Sequence, residues 1–385
     1  MVARPGVCDG ESYNQAAHSR PASAFHHATG AGTSGECPVS NNRPMPFRFT
    51  IVLVLSFVCL AVPTWADGHA GVDAYKRGDY ATALREWRPL AEQGDAGAQF
   101  YLGTLYAFGQ GVPQDYAAAR QWYEKAAAQG DVRAQNNLGT LYRDRQGVPQ
   151  DYTKARQWFE KAAAQGVAQP QYNLGLLYVE GQGVPQDYTK ARQWFEKAAA
   201  QGHAGAQYNL GTLYRDGQGV PQDYTKARQW FEKAAAQGVA QAQNNLGLLY
   251  YNGQGVPQDY AMARQWFEKS AAQGHARAQL NLGTLYAFGR GVPQDYAAAR
   301  QWYEQAAAQG LADAQTSLGM LYEEGLGVPQ DNVRTYMWYS LAAAHSTGTS
   351  QKLAADRRDE VADRMTPAQI AEAQQLAREW KPKSR

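Results

Sequence analysis

The chain has 385 residues, 44% of them hydrophobic, with Lys+Arg 37 against Asp+Glu 35. A single core stops growing efficiently near this length, so several domains or a linear repeat is expected. The near-neutral balance, without a basic stripe or acidic tail, argues against nucleic acid or an anionic membrane as the main partner. The three cysteines, Cys8, Cys37 and Cys59, all precede residue 60, which leaves no disulfide framework or thiolate chemistry for the folded part.

Residues 1–44, rich in Gly, Ser, Asn and His, stand upstream of Met45 and read as a non-native or disordered extension, with Met45 as the true start. From Met45, Arg48 supplies a positive n-region, Ile51 to Val62 an apolar h-region, and Thr64-Trp65-Ala66 a small-residue cleavage site. Residues 45–66 therefore predict a signal peptide cleaved near Ala66, and a periplasmic or secreted protein. The apolar run is shorter than the roughly 20 residues of a spanning helix. Phe57 and Val58 before Cys59 do not fit a lipoprotein signal.

Residues 67–94 predict an N-terminal capping hairpin, with a tight turn at Lys76-Arg77-Gly78-Asp79. Residues 95–346 then repeat seven times. Gly-Val-Pro begins at Gly111, Gly147, Gly183, Gly219, Gly255, Gly291 and Gly327, each step 36 residues. Trp122 to Trp338 and Leu102-Gly103 to Leu318-Gly319 keep the same period. Within the second unit, Ala134, Leu138, Leu141 and Tyr142 share one helical face, and so do Tyr152, Ala155, Phe159, Ala162 and Ala163. A glycine in the left-handed region ends the first helix, proline stops it, and Asp151 is placed to cap the second. Gln165-Gly166 closes that helix. The unit is helix, turn, helix, turn.

Small residues at Gly139 and Ala155 let paired helices approach, and Trp158, Phe159 and Tyr142 fill the space between hairpins. Stacking buries each aromatic, worth roughly 1.5–3 kcal/mol apiece, so nearest-neighbour interfaces hold a one-dimensional array. Arg145 stands where Gly181 and Gly217 stand in other units, which costs on the order of 1 kcal/mol if the position is left-handed. Pro170 replaces an alanine near a helix start, where its missing N–H is harmless. Asn332 and Thr335 depart from the consensus. Residues 347–385 predict two capping helices, one around Gln351 to Met365 and one starting at Thr366-Pro367.

The run Ala-Gln-Asn-Asn-Leu-Gly-Thr-Leu-Tyr at 134–142, followed by Gly-Val-Pro-Gln-Asp-Tyr and Ala-Arg-Gln-Trp-Phe-Glu-Lys-Ala-Ala at 147–163, resembles the Sel1-like repeat, a relative of the tetratricopeptide repeat. The resemblance covers residues 69–346. It implies an all-α, right-handed α-solenoid superhelix of helix-turn-helix units, and adaptor or scaffold roles. Some secreted members are cysteine-rich and reported to bind penicillin; the repeats here contain no cysteine.

No Ser-x-x-Lys, His-Glu-x-x-His, nucleophile elbow or Walker loop follows the signal. His203 and His275 occupy the same inter-repeat loop position two units apart, too far to share one metal ion, and read as solvated loop side chains. Glu323-Glu324 reads as surface decoration, and Arg156 with Glu160 as a solvated i,i+4 pair. No catalytic residue, cofactor or metal is expected.

The remaining candidate is a binding face. Asn137, Asn173, Asn209, Asn245 and Asn281 recur on the first helices, on the side away from the core, with Tyr101 and Ser317 at the ends. Thr140, Leu176, Thr212 and Leu248, with Thr284 and Met320, vary beside them. The implied superhelix places first helices on its concave surface. There the amides either meet an extended peptide, since each can donate and accept, or bond to the adjacent repeat and fix stacking. The sequence thus predicts a monomeric exported scaffold for a protein or peptide partner, not an enzyme. Two alternatives are a cell-wall or β-lactam hydrolase by family analogy and a secreted effector that targets host proteins.

Overall fold

The computed structural model describes residues 69–382, so the expectations for residues 1–44 and for the signal segment lie outside the described residues. The described residues hold 18 helices and no strand. A short hairpin, α1 (His69–Lys76) and α2 (Tyr80–Glu92), opens the array. The first helices of the seven units are α3 (Ala96–Phe108), α5 (Val132–Asp144), α7 (Ala168–Glu180), α9 (Ala204–Asp216), α11 (Ala240–Asn252), α13 (Ala276–Phe288) and α15 (Ala312–Glu324). Their partners are α4 (Tyr116–Ala128), α6 (Tyr152–Ala164), α8 (Tyr188–Ala200), α10 (Tyr224–Ala236), α12 (Tyr260–Ala272), α14 (Tyr296–Ala307) and α16 (Asn332–His345). Two further helices, α17 (Gly348–Ala362) and α18 (Pro367–Glu379), close the C-terminal end. Each helix up to α17 packs on its sequence neighbours, and α18 folds back on α16 instead. This is an α-solenoid.

The local chemistry explains the boundaries. Asp151 accepts from the Lys154 N–H, and Asp115, Asp187, Asp223, Asp259, Asp295 and Asp331 cap the other second helices likewise. First helices end in the left-handed region, with φ near 66° at Gly181 and 58° at Arg145, the one described non-glycine residue with positive φ. The second turn glycine has a different reason. A side chain at Gly147 would strike the Tyr116 Cβ at 2.3 Å, so the turn of one unit lies directly on the second helix of the unit before.

Within each hairpin a core ring lies over a first-helix glycine. Phe159, Phe195, Phe231 and Phe267 are fully buried, as are Tyr123 and Tyr339 at the equivalent positions, with Tyr303 4% exposed. In the opening hairpin Trp87 plays the same part over Gly71. The repeat tryptophans are only half-buried, and five of them carry a lysine ammonium over the ring, as Lys161 does 4.3 Å from Trp158.

Neighbouring units are also joined by paired glutamines, which the sequence reading did not single out. Gln165, at the end of α6, donates to the Gly130 carbonyl at 3.0 Å and to Gln135 Oε1 at 2.9 Å. Gln135, buried, donates in turn to the Ala127 carbonyl of the preceding unit. The pairing recurs at Gln129–Gln99, Gln201–Gln171, Gln237–Gln207, Gln273–Gln243 and Gln309–Gln279. At the last joint His345 takes the second glutamine's place, its Nδ1 3.0 Å from Gln315 Oε1.

The C-terminal cap corrects one expectation. Glu323 is not surface decoration. Its carboxylate accepts from the Tyr339 hydroxyl at 2.8 Å and from Arg364 at 2.7 Å, and only 10% of its side chain is exposed. Burial first, and then the Glu323 charge, hold the Tyr339 hydroxyl far above its ordinary pKa. Thr366 caps α18 through a full capping box with Gln369.

Candidate functional site

The first helices present one row of side chains per unit, set by the 3.6-residue period: in the second unit Arg133, Asn136, Asn137, Thr140 and Arg143. The five asparagines do not all stand away from the core. Asn137 and Asn209 are half-buried, whereas Asn173, Asn245 and Asn281 are buried. Their neighbour is the residue 37 positions earlier, on the preceding first helix. Asn173 Nδ2 donates to Asn136 Oδ1 at 2.9 Å, and Asn281 Nδ2 to Asn244 Oδ1 at 3.0 Å. These two amides join adjacent repeats. Where the earlier residue is Phe100, Tyr172 or Tyr208, no such amide pair can form. Asn209 instead lies by the Tyr172 hydroxyl, and Asn137 by that of Tyr123. Burial pushes both hydroxyls up to about 12.

Thr140, Thr212, Leu176 and Leu248 are half-buried on the same helices as this ladder, and Leu176 packs in part against the core cluster around Phe195. Thr140 and Thr212 donate their hydroxyls to the carbonyls of Asn136 and Tyr208, both at 3.2 Å. A threonine hydroxyl that donates in this way keeps its oxygen lone pairs as acceptors. Met320 and Thr284 continue the row, with Thr284 buried.

From the second unit onward the row has a period of two units, the first unit carrying Thr104 before Thr140. Threonine at 140, 212 and 284 alternates with leucine at 176 and 248 and methionine at 320. From the second unit onward the caps of the first helices alternate in step, after Asp95 in the first. Asp131, His203 and His275 accept from their N3 backbone N–H, whereas Val167, Val239 and Leu311 supply no side-chain cap. At α7 the loss is softened because the N3 residue is Pro170, which has no N–H to satisfy.

His203 and His275 are therefore not solvated loop side chains. His203 Nδ1 accepts from the Ala206 N–H at 3.1 Å, so its proton sits on Nε2, which donates to Gln169 Oε1 at 3.1 Å. The ring stacks on Tyr172 with centroids 4.4 Å apart. Burial pulls the imidazole down to about 4. Charged groups cluster elsewhere on the wall: Arg143 and Arg215 form two-point pairs with Asp144 and Asp216. Arg133 lies 4.2 Å over the Phe100 ring.

With the geometry in view, the repeat can be compared with known ones. The Sel1 repeat model matches seven consecutive stretches: 96–131, 132–167, 171–203, 204–239, 240–275, 276–311 and 312–346. The chain belongs to the Sel1 repeat family. A crystallised protective antigen of uropathogenic Escherichia coli, displaying an SLR fold, is 32% identical. The match has a TM-score of 0.53 and covers 82% of this chain and 75% of that one. A Sel1 repeat protein from Oxalobacter formigenes is 34% identical with a TM-score of 0.58, over 62% of this chain and 96% of its own. No curated protein matches the chain significantly.

Sel1 repeats form a scaffold fold typical of protein–protein interaction, and up to α15 this array departs from its own consensus mostly on the first helices. Three second-helix segments, residues 151–166, 187–202 and 223–238, are identical, α4, α12 and α14 differ from them at a few positions, and α16 diverges. Their exposed faces carry i,i+4 pairs such as Arg156–Glu160 at 2.7 Å. Apart from α16, whose sequence diverges, the second helices change at only a few positions, whereas the first helices change in every unit. Among the described residues no group of three or more His, Cys, Asp or Glu is placed to hold a metal ion, and no helix is long and apolar enough to cross a membrane.

Proposed function

We propose that the protein is an exported, non-catalytic scaffold that holds a protein or peptide along its first-helix wall. The observation that carries the reading is the split between second helices that change little from α4 to α14 and first helices that change in every unit. An array selected only for stability has no need to vary one wall and keep the other. The half-buried Thr140, Leu176, Thr212 and Leu248 form the contact row. Asn173 and Asn281 serve beneath it, fixing the spacing of the helices that carry it.

The two-unit alternation suits an extended segment. With helices packed at 8–10 Å, leucines two units apart stand on the order of 20 Å from one another, which an extended chain spans in about six residues. The partner is then a segment with apolar side chains about six residues apart and polar ones between. Export rests on residues 45–66, and the 32% identity to a protective antigen agrees with it.

Photocrosslinkers placed singly at Thr140, Leu176, Thr212 and Leu248 test the reading in cells that make the protein, against Gln157 and Gln229 on the exposed second-helix face. One protein captured from the wall positions and not from the controls supports it. Equal capture from both faces, or mature protein retained in the cytoplasm, rejects it.

A further inference from the structure

The histidine at the joint between the third and fourth units stands in a chain of hydrogen bonds that no other joint repeats in full. The Ala206 N–H donates to His203 Nδ1 at 3.1 Å, and His203 Nε2–H donates to Gln169 Oε1 at 3.1 Å. Gln169 Nε2 donates to Asn173 Oδ1 at 3.2 Å, and Asn173 Nδ2 to Asn136 Oδ1 at 2.9 Å. The chain runs from α9 across α7 to α5, along the wall. Every link is polarised in one direction, and one group in it, the His203 imidazole, can take up a second ring proton.

We propose that His203 is a proton-sensitive joint: adding a proton to its ring breaks the cap of α9 and loosens the fourth unit from the third. The chemistry is direct. A neutral imidazole accepts at Nδ1, whereas an imidazolium donates at both nitrogens and cannot accept from Ala206. The bond to Gln169 survives protonation, so the break falls at the helix start. At the equivalent positions Asp95 and Asp131 cap with a carboxylate, which keeps its acceptor oxygens.

The surroundings oppose the charged ring. Tyr172 on α7 is the titratable group against it, stacked face to face. Arg143 on α5 and Glu180 at the far end of α7 act on Tyr172 rather than on the ring. Burial is the dominant influence on the imidazole, and no neighbouring charge enters its balance. The protonated ring is therefore more stable with the joint open than closed, and acid drives opening. The joint lies between Leu176 and Thr212, so on the proposed binding reading its opening also changes the spacing of the contact row.

Amide exchange of the purified protein tests this without any partner. The Ala206 protection factor, corrected for the intrinsic pH dependence of exchange, is measured at pH 7.5 and pH 4.5. The expected result is a fall of at least ~10-fold at Ala206, by proton linkage, with the His203 nitrogen shifts showing the Nε2–H tautomer at pH 7.5. His203→Asn, whose amide oxygen caps at either pH, is expected to hold Ala206 protection level. Unchanged Ala206 protection in the natural protein, or an equal fall in the Asn variant, overturns the proposal. Should the Asn variant not fold, the tautomer and the Ala206 measurement on the natural protein decide it. A failed crosslinking experiment leaves this result untouched, because exchange reads the joint alone.

Discussion

Gln165 and Gln135 stand 30 residues apart and share a hydrogen bond of 2.9 Å, and the same pair recurs at five other joints. The second-helix glutamine closes onto its own unit and, at most of these joints, onto a turn carbonyl of the unit before, as Gln165 does on Gly130. Apolar contacts give this array its stability, and the glutamines fix its register. Replacing Gln135 with Leu removes the acceptor for Gln165 and the donor to the Ala127 carbonyl. A loss of about 1–3 kcal/mol is expected from the stranded polar groups, read as a lower urea midpoint at unchanged slope.

Gly139 is expected to tolerate no side chain. A Cβ there would lie 2.5 Å from the Phe159 ring, which is fully buried and cannot retreat into solvent. Overpacking of about 1–3 kcal/mol outweighs the helix propensity of about 1 kcal/mol gained by alanine. Gly139→Ala therefore lowers the melting temperature, and Gly139→Ala with Phe159→Leu recovers part of the loss.

Arg145 gives the opposite sign. Its φ of 58° is left-handed, where the other first helices end in glycine. Arg145→Gly is expected to stabilise by about 1 kcal/mol, visible as a higher urea midpoint.

The pH dependence has two windows. The His203 pKa is about 4 in the fold against an ordinary 6.5, so the unfolded chain binds the extra proton between those values. Its contribution is whole above pH 6.5 and lost as pH falls toward 4, about 3 kcal/mol in all. The capping carboxylates of Asp151, Asp187 and Asp223 sit below their ordinary 3.8 because backbone N–H groups bond to them. Their contribution is lost only at more acid pH. Urea midpoints measured from pH 7.5 to 4.5 should fall for the natural protein and stay flatter for His203→Asn.

At the C-terminal end, Glu323→Ala strands the buried Tyr339 hydroxyl and frees Arg364. The expected loss is about 1–3 kcal/mol, with faster amide exchange in α17 and α18 and little change in α3 to α9.

Much of this architecture was legible in the sequence, because a 36-residue recurrence of Gly-Val-Pro, tryptophan and Leu-Gly repeats one hairpin's chemistry at every step. Helix ends were legible for the same reason: Asp151 and Gly181 are residue types with one good place to be. The wall was harder. Whether Asn173 faces a ligand or a neighbour depends on what stands 37 residues earlier, and that residue changes from Asn136 to Tyr172 to Tyr208. His203 looked like any loop histidine until its ring was seen between Ala206 and Tyr172. Glu323 looked exposed until Arg364, in the turn after α17, was placed against it. The glutamine pairs were present in the sequence at a constant 30-residue separation, and periodicity alone could have found them.

On the proposed reading the varied first-helix wall, and not the second-helix face, holds the partner. The most direct measurement is titration calorimetry of the crosslinked partner against the natural protein, Leu176→Glu with Leu248→Glu, and Gln157→Glu with Gln229→Glu. Two buried charges at a wet wall predict at least a ~10-fold weaker Kd for the leucine pair, no change for the glutamine pair, and circular dichroism spectra that coincide. Equal affinity across all three proteins, or loss confined to the glutamine pair, would contradict the account.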